Sequence, residues 1–144
     1  MSRYRIILLA LCAATCVLLL PASALAGTTY VVKNKAGSKV GTVSRGGNGN
    51  VWNAASVKVG YYGRTDEGAF VFRVGYDSVY TFVYPVSSTK FLVSRSSVRG
   101  RARLIAGRWV LQRKVSGEWR RKGSVTGRVT GFAAGSALYV LLWK

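Results

Sequence analysis

Turn-forming clusters of Gly, Ser and Asn recur about every eight to twelve residues along this chain, and what lies between them alternates at period two. That spacing confines the fold to short strands. The composition agrees: 17 glycines, abundant valine and tyrosine, and only two prolines in 144 residues. Two stretches read as hairpins of one form. Tyr30–Lys33 and Lys39–Val43 flank a polar turn at Asn34–Gly37, and Trp109–Arg113 and Glu118–Val125 flank another at Lys114–Gly117. Gly37 suits the positive φ such a turn requires. The two hairpins read as a degenerate repeat.

Between the hairpins, Ser56–Tyr62, Ala69–Tyr76 and Ser78–Pro85 alternate in the same way. Phe70, Phe72, Val74 and Tyr76 share one face, and Val71, Arg73 and Gly75 the other. Tyr80, Phe82 and Tyr84 lie opposite Val79, Thr81 and Val83. The glycine-rich run Arg45–Asn50 reads as the longest flexible connection. It has no Lys-Ser/Thr after its glycines and so fails as a phosphate loop. The expectation is a mainly β domain, a single small antiparallel barrel or sandwich of about nine short strands.

Phe132–Trp143 departs from this pattern, being uncharged and apolar nearly all round. As a helix it would be about 18 Å long, too short to cross a bilayer, and buried within the β layer. As a strand, Ala137–Trp143 would be central, with both faces covered. Periodicity does not separate the two readings, although the alanines favour the helix.

The N-terminus carries Arg3 and Arg5, an apolar run Ile6–Leu20 ended by Pro21, and the small-residue site Ala24–Ala26. This is the layout of a secretory signal peptide over residues 1–26, cleaved to leave one exported domain, 27–144. Cys12 and Cys16 would leave with it, so the exported domain would hold together by packing alone, as suits a bacterial cell envelope. It would contain no transmembrane segment, and the expected localisation is extracellular or envelope-associated.

Residues 27–144 hold 20 basic residues against four acids, Asp66, Glu67, Asp77 and Glu118, a net charge of +16. Like charges at that density repel one another in a compact state. Acidic residues serve solubility better, so the excess points to a polyanionic partner. The same composition argues against an enzyme. There is no histidine, the cysteines sit in the leader, and four carboxylates leave little for acid–base, nucleophilic or metal chemistry. No cofactor or metal is expected, and Asp66 and Asp77 read as turn residues. Ser87–Lys90 satisfies Ser-x-x-Lys, the acylating pair of penicillin-binding proteins and β-lactamases. Here it lies between two strands without the companion motifs, and reads as a polar hairpin turn.

The basic cluster is the candidate site. If Val98–Leu104 is a strand, Arg99, Arg101 and Arg103 line one face about 6.6 Å apart, and Arg120, Arg121 and Lys122 follow in the next hairpin. Guanidinium forks grip phosphate or carboxylate in pairs. Of the four tryptophans, Trp119 beside this run is the candidate for stacking on a ligand, and Trp109 and Trp143 are read as core. The leading expectation is a non-enzymatic exported domain that binds an anionic envelope component: teichoic acid, nucleic acid or an anionic lipid surface. The alternatives are a carbohydrate- or peptidoglycan-binding module, and a protein-interaction domain whose Phe132–Trp143 segment adds to a partner's sheet.

Overall fold

The computed structural model describes residues 28–75 and 81–144. The leader, the Asp77 turn and the faces assigned to Tyr76, Val79 and Tyr80 lie outside them. Ten antiparallel strands follow one another: β1 Thr29–Asn34, β2 Lys39–Ser44, β3 Gly49–Asn53, β4 Lys58–Arg64, β5 Ala69–Arg73, β6 Thr81–Ser87, β7 Lys90–Arg95, β8 Val98–Ile105, β9 Arg108–Val115 and β10 Glu118–Thr126. Each pairs with the next, and β1 also pairs with β10, with Val32 opposite Val125. The sheet is therefore a closed barrel rather than a sandwich, and no strand edge is left open.

Ten strands appear because the glycine-rich run divides. Only residues 45–48 form the connection, and Gly49 and Asn50 open β3. The connection is pinned rather than loose. Tyr62 Oη donates to the carbonyls of Ser44 and Gly46, Thr130 Oγ1 donates to Gly46, and Asn48 Oδ1 accepts from the Arg64 amide. Burial pushes the Tyr62 phenol well above its ordinary pKa. Two of the two-residue reversals use a pair of residues of positive φ, Ala106–Gly107 (53° and 74°) and Ser116–Gly117 (52° and 83°). Such pairs match the twist of the flanking strands.

The C-terminal segment is a helix, α1, Gly131–Leu142, and it runs inside the barrel against every strand from β2 to β10. A strand there has no edge to join, because the sheet is already closed. A helix satisfies its own backbone and can sit in a dry lumen. Thr130 caps it, accepting from the Ala133 amide at 3.2 Å, and Ser136 Oγ donates to Phe132 O at 2.7 Å. At the same end Trp109 Nε1 donates to Val129 O, tying the barrel wall to the helix entry.

Helix and lumen are matched by size. Gly131 and Gly135 lie where the wall is bulky, at Phe91 and at Val83 and Val93, and Ala133, Ala134 and Ala137 on the same turns are fully buried. Leu138, Val140, Leu141 and Leu142 lie where the wall is Gly100, Gly60, Gly41 and Gly123. A Cβ on Gly60 would come 2.7 Å from Val140, and one on Gly100 2.8 Å from Leu138. With α1 in the lumen, the inward positions of β5 and β6 take small side chains, Ala69, Val71, Thr81 and Val83, all fully buried. Their aromatic neighbours face outward and cover one another. Tyr61 stacks on Phe72 (5.0 Å), and Phe82 meets Phe70 at 5.1 Å.

Candidate polyanion-binding surface

On β8 the buried Gly100 and Ala102 face α1, so Arg99, Arg101 and Arg103 share the outer wall as the alternation predicts. Register extends this row sideways. Leu92, Arg101, Gln112 and Arg121 lie abreast on β7 to β10, and Arg103 lies opposite Lys90. Arg101 is held in place: its Nε donates to Gln112 Oε1 at 2.7 Å, and its guanidinium lies 4.1 Å over the Trp119 ring. Burial, and then the charge of Arg103, lower the Arg101 pKa, although a guanidinium remains a cation at neutral pH.

The run Arg120–Lys122 does not act as one block. Arg121 joins the outer row, whereas Arg120 lies on the other face of β10, opposite Arg113. Lys122 is the extra residue where the β9–β10 register shifts, and it lines a hollow at the barrel mouth with Arg73, Trp143 and Lys144. Period two separates neighbours and the bulge re-aims the third side chain. Trp119 is half-buried beneath Arg101, with Lys114 Nζ 5.8 Å from its ring. Trp109 and Trp143 are buried.

Beside this row, Arg99 and Lys114 line an open hollow of about 450 Å³ with Ser94, Ser96, Ser97 and Ser116. Its two cations and four hydroxyls are all groups able to donate a hydrogen bond to an anion. Lys114 belongs to the basic cluster legible in the sequence, whereas these serines do not stand out there, because they come from the ends of two separate hairpins. No Asp or Glu occurs from Thr81 to Val115, so this part of the wall carries no charge of opposite sign.

A second arginine group lies at the mouth where α1 ends. Arg113 donates to Trp143 O, Arg95 donates to Tyr139 Oη, and Arg73 lies 4.4 Å over the Tyr139 ring. Cations there complement the negative end of the helix dipole, so these three serve the fold. Their signal is an aliphatic residue two positions before Arg on alternate strands: Val71–Arg73, Val93–Arg95 and Leu111–Arg113. Each arginine continues the inward face of its strand past the end of the apolar lumen.

Ser87 and Lys90 stand opposite each other across the β6–β7 turn, where Ser87 Oγ accepts from the Thr89 amide. They belong to a hairpin and not to a helix start. Among the described residues no three His, Cys, Asp or Glu side chains gather as a metal site, and no helix is long and apolar enough to cross a membrane. Comparison with protein-family models, curated proteins and solved structures gave no match.

Proposed function

We propose that this protein is an exported, non-enzymatic binding module that grips a phosphate-bearing envelope polymer along the outer wall of β8–β10. One observation carries the reading. Arg99, Arg101 and Arg103 on β8 and Arg121 on β10 face outward on either side of β9, beside the Arg99–Lys114 hollow, with no carboxylate from Thr81 to Val115. Arg101 is preoriented by Gln112 and Trp119, which reduces the ordering needed on binding. A filled lumen leaves the outside as the place for a ligand.

The test is the salt dependence of binding to a soluble phosphate polymer, with inorganic polyphosphate as the probe. Each phosphate neutralised on a densely charged polymer adds about 0.7–0.9 to the slope of log affinity against log salt. Arg99→Gln, Arg101→Gln and Arg103→Gln together should shallow that slope by up to about three units with the fold intact. An unchanged affinity and slope would reduce these arginines to a solvated wall. A sugar-binding module would instead be nearly indifferent to salt, and it draws support from the outward aromatics Tyr61, Phe72 and Tyr84.

A further inference from the structure

The rim at the start of α1 carries a feature the polymer-binding wall does not use. Exposed large apolar residues are few in the described chain, and three of them gather on two adjoining hairpin tips. Val86 is 55 % exposed at the end of β6, and Leu104 and Ile105 are 36 % and 48 % exposed at the end of β8. The tips are tied together, since the Leu104 amide donates to Thr89 O at 2.8 Å. Directly behind them stand cations. Lys90 faces Arg103 across the β7–β8 pair, and Arg108 faces Ile105 across β8–β9. Arg45, Arg64 and Arg128 are exposed farther round the same rim.

Isolated exposed aliphatics are ordinary on a soluble surface, but a cluster at a protruding tip with a collar of cations is a different arrangement. Branched aliphatics can enter the headgroup–acyl boundary while Lys and Arg a few ångströms behind meet lipid phosphates. The barrel itself would not span the bilayer, because its outer wall carries arginines on β8 and β10 where a spanning barrel presents an apolar band.

We propose that the β6–β7 and β8–β9 tips form a membrane-docking edge, with Val86, Leu104 and Ile105 entering the surface of an anionic bilayer and Lys90, Arg103 and Arg108 on its phosphates. Charge complementarity fixes the occupant, since the tips and their collar are cationic without a single acid. It also sets the tilt. Asp66 and Glu67 are exposed on the β4–β5 turn of the same rim, so the barrel leans onto its β6–β9 side and lifts that turn away. Docking on this edge leaves the wall of β8–β10 upright beside the membrane and open to a polymer.

The test uses the form beginning at Gly27, which contains the whole barrel and α1, with vesicles of phosphatidylcholine containing phosphatidylglycerol. Val86→Ser, Leu104→Ser and Ile105→Ser together should weaken vesicle binding by roughly tenfold or more while leaving all cations in place. The urea midpoint and polyphosphate binding should not change, which separates this edge from the wall. Because residues 27–144 contain no cysteine, an environment-sensitive dye on Ile105→Cys reports insertion directly. Its emission should shift to the blue on these vesicles, whereas the same dye on Val57→Cys at the opposite rim should not. Equal vesicle binding by the triple serine variant, or equal shifts at both dyes, would overturn the docking edge. So would a vesicle-independent dimer that the serine substitutions abolish, since the tips would then belong to a second copy. Arg99→Gln with Arg101→Gln, both outside the collar, should weaken polyphosphate binding and leave vesicle binding unchanged, so that the wall and the edge fail separately.

Discussion

Gly135→Ala provides a test of the filled lumen by the sign of its effect. In an ordinary helix interior, replacing Gly by Ala stabilises by about 1 kcal/mol, because glycine loses the most backbone freedom on folding. Gly135 lies inside the barrel, where a Cβ would meet Val83 Cγ1 at 2.6 Å and Val93 Cγ2 at 3.1 Å. Ordinary carbon contacts lie at about 3.5–4.0 Å, so the nearest neighbour must retreat by about 1 Å. Val83 and Val93 are paired across β6 and β7 and fully buried, and neither branched side chain has room to turn. Overpacking of this kind costs about 1–3 kcal/mol. Set against the helix gain, the expected net is a loss of about 1 kcal/mol. Urea unfolding with an m-value of about 1–2 kcal/mol per M should then show the midpoint falling by roughly 0.5–1 M. Placing the same change in a Val83→Ala background should return about 1 kcal/mol or more, because the two positions share one contact. A raised midpoint for Gly135→Ala alone would show that the helix does not lie against β6 and β7. Strictly additive effects of the two changes would show the same.

Two further outcomes follow from chemistry elsewhere in the chain. Burial raises the Tyr62 phenol above its usual pKa of about 10, so the folded state keeps this proton at pH values where the unfolded state has lost it. The contribution is fully present below about pH 10 and is lost as pH rises further, at about 1.4 kcal/mol per pH unit. Tyr62→Phe should flatten that alkaline limb of the urea midpoint, and an unaltered limb would refute the assignment. Export predicts that protein recovered outside the cytoplasm begins at Gly27 by mass spectrometry, and retention of Met1–Ala26 would refute the signal-peptide reading.

Period-two alternation made most of the strands legible, together with the outward row Arg99, Arg101 and Arg103. It could not say which face of a strand is inside. Phe70, Phe72 and Phe82 are larger than Val71 and Val83, yet they lie outside, because space in the lumen is set by a helix some 50 residues farther along. The tail itself was ambiguous for a related reason. A segment buried on all sides shows neither period, and only closure of β1 onto β10 excludes a strand there. Gly49 and Asn50 were read as loop because glycine is rare in strands. They enter β3 where Asn50 pairs with Tyr61 and its amide donates to Ser44 Oγ. Arg120–Lys122 looked like one patch because sequence adjacency suggests it. The bulge that parts Lys122 from Arg121 is a property of pairing with β9 and is invisible in the run itself.

The size-matching between α1 and the wall also bears on where chemistry can occur. Many small barrels leave an interior that holds a ligand. Here Leu138, Tyr139 and Leu111 are fully buried in that space, and the inward arginines at its mouth are engaged with Tyr139 and Trp143. An interior ligand would have to displace a helix anchored to wall and rim through Thr130, Val129 and Trp143. Each of those attachments is a hydrogen bond between α1 or its flanks and another element, and breaking them in a dry lumen leaves polar groups without partners. Binding at the outside disturbs none of them. The apolar interior and the cationic exterior are therefore separate assets. The first supplies the packing that holds a strongly charged chain together, and the second is where the proposed contacts with an anionic polymer and an anionic membrane would be made without cost to that packing.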